Sequence, residues 1–280
     1  IKKFTFYKAD INKDIKKIKK IIQKYKPSYI VNYIAQGMVA ESWANPEDWY
    51  QTNIVSQTNL YKVLSNYRFI KKIIHVTTPE VYGNNNKKLT EKTKFNPSTP
   101  YAISRMCLDL HLKKYNEKFK LPIIFTRTAN VYGGGQQLYR IVPKAFMCAI
   151  ENKKFYLDGG GDSLRSFIYI DDASEATFKI LKKGKIGDTY HISTNELISI
   201  KNLTKSIYKL SGSNFNHNVK ISADRIGKDY KYDLSSAKIS KKLKWKAKTS
   251  LTSGLLKTKK WINLNFKELK YENKNYTHKK

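Results

Sequence analysis

Short apolar runs alternate with longer amphipathic stretches through the first half of the chain, and this alternation restricts the fold more than any other feature. The runs are FTFYKA (4–9), YIVNYIA (29–35), KIIHVTT (72–78) and PIIFTRTANVY (122–132). Stretches with helical periodicity lie between them, at about 12–25, 46–66 and 101–119. Buried strands alternating with helices of that length pack as parallel βαβ units, so the pattern predicts an α/β fold with a doubly wound parallel sheet. Such sheets bind ligands beyond the carboxyl ends of their strands. The segments there are AQGMVAES, TPEVYGNNN and YGGGQQ.

Beyond about residue 133 the pattern changes. Short strands (FYLD, SFIYI, TYHIS) mix with helices at about 139–151, 171–183, 200–211 and 249–264. The expectation is a main domain over 1–133 and, over 134–280, mainly a smaller α/β lobe. Segments around 166–192 are expected to return to the main sheet. The final ten residues, YENKNYTHKK, are polar and expected to fray.

Composition narrows the function classes. No run of about 18 apolar residues occurs, so no membrane partner is expected, and the charged opening IKKFTFYKADI is unlike a signal peptide. The two cysteines, Cys107 and Cys148, show no CxxC spacing. That argues against a cysteine-rich metal site and for a reducing, cytoplasmic setting. The net charge of +32 comes from lysines spread along helix surfaces, so no nucleic-acid partner is expected.

Five segments carry chemistry. YAISR (101–105) follows NPSTP, where Pro100 suits a first helical turn and Ser98 or Thr99 a cap. Tyr101 and Arg105 then share a helix face, and a cation near a phenol lowers its pKa. TTPEVYG (77–83) sets a hydroxyl, Thr78, and a carboxylate, Glu80, at a strand end. TRTANVYGGGQ (126–136) supplies glycines that admit close backbone approach. GGGD (159–162) leads to RSFIYIDD (165–172), where an arginine entering a strand can clamp a diphosphate. DRIGKD (224–229) is a further candidate phosphate contact. Alone, each is equally at home as a surface pair, a strand-end turn or a flexible loop.

In this order and spacing, from residue 4 to about 264, the segments resemble the extended short-chain dehydrogenase/reductase family acting on nucleotide sugars, especially the dTDP-glucose 4,6-dehydratases and their relatives. The resemblance implies a Rossmann-like sheet, NAD as cofactor, a nucleotide-diphosphate sugar as substrate and a homodimer built on the helices near 46–66 and 101–119. Tyr101 would take the proton of the sugar 4-hydroxyl, Thr78 would hold the same oxygen, and Glu80 would remove the C5 proton once C4 is a ketone. Arg105 would sit beside Tyr101 and the cofactor. Asp10, Ala35, Gln36 and Asn53 would line the cofactor site; Asn130, Arg165 and Arg225 would hold the substrate. No metal is implied.

Three departures accompany the resemblance. No GxxGxxG or GxGxxG precedes residue 36. The chain therefore opens at the family's third strand, with roughly 60 residues of the pattern unrepresented at about 30 per βα unit. The expectation is an N-terminally truncated sheet with exposed apolar edges and weakened NAD binding. Arg105 stands where the family has lysine. Pro79 stands where the dehydratases carry a proton-donating aspartate, which leaves Glu80 or Tyr82 to supply that proton. Dehydration is the leading expectation, because a 4-epimerase needs no carboxylate at position 80. Epimerase chemistry, decarboxylation (with Arg105, Arg140 and Lys144 as extra cations) and an inactive relative remain as alternatives.

Overall fold

The computed structural model describes residues 4–278. Four parallel strands form the central sheet: β1 (Tyr29–Asn32), β2 (Lys72–Thr77), β3 (Ile123–Thr128) and β4 (Thr189–Ile192), neighbours in that order. Successive side chains alternate between the faces. Ile73, Ile123 and Phe125 join Leu60, Tyr61, Leu64, Leu108 and Leu112 on one side. Ile74, Ile124, Tyr190 and Ile192 join Ala173, Ala176, Ile180 and Trp245 on the other. Because both faces are covered, β3 is buried from Ile123 to Arg127, its apolar first half giving way to Thr126 and Arg127 toward the site.

The helices follow the expected periods. Those of eight residues or more are α1 (Ile15–Tyr25), α2 (Gln57–Leu64), α3 (Pro100–Phe119), α4 (Ile141–Ile150), α5 (Ile170–Lys183), α6 (Ile200–Ser211) and α7 (Leu251–Leu264). A short helix, Pro46–Tyr50, and a π turn, Gln51–Ser56, run directly into α2. Thr99 caps α3 by accepting a hydrogen bond from Ala102 N at 3.1 Å, and Pro100 occupies the first turn as expected. A second core gathers α4, α6 and α7 around Phe146, Leu157, Ile207 and Leu255.

Three expectations need correction. FTFYKA forms no strand: residues 4–10 have no regular structure, and Phe4 and Phe6 are 77% and 76% exposed. A strand exists only with a hydrogen-bonded neighbour, and among the described residues nothing pairs with the outer edge of β1. PIIFTRTANVY breaks at Ala129 into β3 and Asn130–Tyr132, and the latter pairs with Phe167–Tyr169 in a separate two-stranded sheet. The tail does not fray. Residues 273–278 fold back, with the Tyr276 ring 5.4 Å from Tyr139 and the His278 ring 5.1 Å from Trp49. Its aromatic and polar side chains find partners far away in sequence, which composition alone cannot register. No helix among the described residues is long and apolar enough to cross a membrane.

Candidate active site

At the carboxyl end of β2 the chain makes one 3-10 turn, Pro79–Tyr82, with Thr78 as its cap accepting from Glu80 N at 3.4 Å. Gly83 ends the turn at φ +63°, where an added Cβ would lie 2.0 Å from the Asn96 carbonyl oxygen, so only glycine fits. This tight turn directs the Glu80 carboxylate inward from a partly buried position. One carboxylate oxygen accepts from the Tyr232 hydroxyl at 3.3 Å, and the other is buried without a partner among the described residues. Burial pushes the Glu80 pKa up; the Arg165 charge opposes the shift and Asp229 reinforces it.

Tyr101 stands on the first turn of α3, with its backbone N–H donated to Ser42 Oγ at 3.1 Å. Its phenol is within hydrogen-bonding reach of Thr78 and in the field of the Glu80 carboxylate. Burial, followed by the Glu80 charge, raises its pKa; Arg105, the Thr78 hydroxyl and Arg140 pull it down. The net direction corrects the expectation drawn from Arg105 alone, because desolvation of the phenolate outweighs the nearby cations.

One turn further along α3, Arg105 is 2% exposed. Its guanidinium donates to the carbonyls of Ile34, at 3.2 Å, and Val76, stapling the ends of β1 and β2 together. Those nitrogens are committed to backbone, and Nε is buried without a partner among the described residues. Arg105 therefore supplies charge and rigidity beneath Tyr101.

Asn53 secures the end of β1. It accepts from Gln36 N at 2.8 Å and donates to Gln36 O at 3.0 Å and to Ser104 Oγ at 3.0 Å. The π turn that carries Asn53 is a conformation concentrated at functional sites. Ala35 and Gln36 thus meet α3 at the same strand end as Tyr101. Asp10 lies in the turn before α1 and accepts from Asn12 N, while Asn12 reaches Thr52 at 3.0 Å.

Across the cleft, Arg165 is held by the carbonyls of Leu164, Tyr230 and Asp229 at 2.8, 2.9 and 2.5 Å, with its guanidinium 4.1 Å from the Tyr232 ring centre. Asn130 pairs through its backbone with Ser166 at 3.1 Å. Arg225 stands apart, half exposed and ion-paired with Asp158 at 2.9 Å. The structure therefore groups Thr78, Glu80, Tyr101 and Arg165, with Arg105 below, and leaves Arg225 outside the group.

Tyr82 does not stand in for the missing aspartate: its hydroxyl meets His191 Nε2 at 2.8 Å in a buried pair. Sequence reasoning missed Tyr232, which links Glu80 to Arg165, and Ser42, which secures Tyr101. Tyr232 lies three residues beyond the DRIGKD segment, and only the fold shows which tyrosine of that stretch turns inward.

A parallel doubly wound sheet whose strand ends bring together a tyrosine, a threonine and a buried glutamate defines a Rossmann-like enzyme equipped for proton transfer. A family model described as GDP-mannose 4,6 dehydratase matches residues 1–258, and the chain belongs to this family of nucleotide-sugar dehydratases and epimerases. It is 28% identical to the dTDP-glucose 4,6-dehydratase of Haemophilus influenzae, over 94% of this chain and 84% of that one. It is 31% identical to the human dTDP-D-glucose 4,6-dehydratase, over 94% and 76%. A Streptomyces venezuelae dTDP-glucose 4,6-dehydratase with NAD and TYD bound superposes with TM-score 0.86 at 27% identity, covering 92% of this chain and 79% of that one. A Thermotoga maritima UDP-glucose 4-epimerase with UDP-glucose gives 0.87 at 26%, covering 93% and 85%.

Proposed function

We propose that the chain carries out NAD-dependent 4,6-dehydration of a nucleoside-diphosphate hexose. The observation that carries this reading is the Glu80 carboxyl in the same cleft as the Tyr101 phenol, with one buried oxygen lacking a partner among the described residues. Oxidation at C4 needs the tyrosine; only chemistry at C5 needs the carboxylate as well.

The residues present fit the nicotinamide end of NAD. Tyr101 and Thr78 adjoin the Asn53-braced end of β1, and the unpartnered Arg105 Nε adds a buried donor there. Ala35, Gln36 and Asn53 would hold the cofactor at this end, with Asp10 toward its adenine. When bound, NAD supplies the acceptor that takes hydride from C4 and later returns it at C6.

Tyr101 removes the O4 proton as C4 becomes a ketone, and Thr78 keeps that oxygen in line. The ketone acidifies C5, and Glu80 takes the C5 proton. The C6–O bond then breaks, and the departing hydroxide leaves as water after receiving a proton. Glu80, protonated in the preceding step and hydrogen-bonded to Tyr232, is the donor at hand. Glu80, left as a carboxylate, takes a proton from solvent and delivers it to C5 as C6 is reduced, and Tyr101 releases the O4 proton to solvent, so that the side chains end as they began. Asn130 and Arg165 orient the nucleotide sugar, and Arg225 contributes after exchanging its Asp158 partner for phosphate.

In this reading residues 1–133 serve the cofactor and 134–280 mainly the nucleotide sugar. Exposed Val55 and Ile103, with Leu110 and Phe119, suit a homodimer face on the helices of 46–64 and 100–119. Two unpaired cysteines suit a reducing cytoplasm.

The epimerase reading draws support from the equal structural likeness to a 4-epimerase. Product mass separates the two. With NAD and a panel of nucleotide hexoses, loss of one water marks dehydration; unchanged mass with an inverted C4 marks epimerisation and overturns the role of Glu80.

A further inference from the structure

The tail residues 273–278 make two sets of contacts on opposite sides of the cleft. On the α4 side, Lys274 Nζ binds Glu151 Oε1 at 2.7 Å, Lys144 Nζ donates to Asn275 Oδ1 at 3.3 Å, and Tyr276 packs edge-on against Tyr139. On the β1 side, the Gln36 side-chain amide donates to the Tyr276 hydroxyl at 3.1 Å and to His278 Nδ1 at 3.3 Å. The other imidazole nitrogen donates to Asp48 Oδ2 at 2.7 Å. The ring lies 5.1 Å from the Trp49 ring and within 5° of parallel to it. Both imidazole nitrogens are thereby used, although the segment is mostly polar.

Gln36 is the residue whose backbone Asn53 clamps beside Tyr101. Its neighbour Gly37 leaves room for Arg140, whose Nη2 would be 3.5 Å from a Cβ at that position. Backbone clamping fixes Gln36 N and O only. The Gln36 side chain owes its position to the tail.

We propose that residues 273–278 are a strap that positions the Gln36 side chain and covers the loop after β1, so that solvent and ligand reach this side of the cleft only when the strap lifts. The contacts are polar side-chain pairs at the surface end of the fold, partly buried and with no apolar core of their own, which suits a segment that opens locally without global unfolding. The proposal deepens the functional reading above, because it takes Gln36 to line the cofactor site; the covering of the loop stands on the contacts alone.

The test compares the full chain with a chain ended at Lys270 and with His278→Ala and Tyr276→Phe. Trp49 emission is isolated by subtracting Trp49→Phe, and hydrogen exchange is followed at the amides of residues 36–40. Expected is a change of Trp49 emission in the shortened chain and in His278→Ala, with amide exchange at 36–40 faster by about tenfold in the shortened chain. Tyr276→Phe, which keeps the packing on Tyr139 but loses the Gln36 bond, should fall between.

Unchanged emission and exchange would overturn the proposal, and so would exchange that quickens equally at remote positions, which marks general loosening. NAD association measured by stopped flow should quicken in the shortened chain, whereas mere loss of stability leaves it unmoved. If the strap signals change but neither chain binds NAD, it is the cofactor reading that fails and the strap stands.

Discussion

Glu80 and Tyr101 are two acids in one corner of the cleft; burial raises both, and the Glu80 charge makes ionisation of Tyr101 harder still. The carboxyl, whose ordinary pKa is far the lower, ionises first. The rising limb of kcat/KM should lie above the ordinary carboxylate range, and it should vanish in Glu80→Gln. That variant should lose water elimination by about 10²–10⁴-fold, the usual worth of a positioned acid or base. Stability should move the other way. The folded pKa is raised above 4.5, so the Glu80 contribution is fully present below that value and is lost as pH rises through the raised one. Thermal melting should find Glu80→Gln more stable than the parent at pH 8 and nearly equal to it at pH 4. The grouping of Tyr101, Thr78 and Glu80 was legible from the order of the motifs, and the roles proposed for them come from the family resemblance. The direction of the Tyr101 shift was not, because spacing reveals the cation on the next turn and conceals the desolvation.

Among the elements, α3 organises both the site and the core. Tyr101, Arg105 and Asp109 follow at four-residue steps along one face. Asp109 meets Arg127 Nη2 of β3 at 2.5 Å and Thr77 of β2 at 3.2 Å, all fully or almost fully buried. The Arg127 charge, with help from His75, overcomes desolvation and holds the Asp109 carboxyl below its ordinary value. Asp109→Asn leaves a buried guanidinium unpaired and should cost about 3–5 kcal/mol in chemical denaturation. Thr99→Ala removes only the cap and should cost about 1 kcal/mol. The sequence announces α3 through its cap, its proline and its period, all of which are local. FTFYKA and the tail were misread for the complementary reason: whether an apolar run becomes a strand, or a polar tail docks, depends on partners elsewhere in the chain.

At the scale of the whole molecule, buried histidines make the fold acid-sensitive. Burial and the Arg127 charge hold His191 down at about 3, and burial lowers His75 as well. Their folded pKa values lie below the unfolded 6.5, so the stability they contribute is present above pH 6.5 and is lost as pH falls toward 3. Melting temperatures should drop across that window, and less steeply in His191→Gln. The doubly wound sheet and its site loops were legible because strand period and helix length recur; Tyr232, Ser42 and the strap were not, because each acts through a contact far away in sequence. The function itself turns on whether Glu80 works at C5. The decisive measurement is turnover of a nucleotide hexose with NAD in heavy water, followed by mass and proton spectra of the product. Expected is loss of one water with deuterium at C5, both abolished in Glu80→Gln. A product of unchanged composition with protium retained at C5 would contradict it.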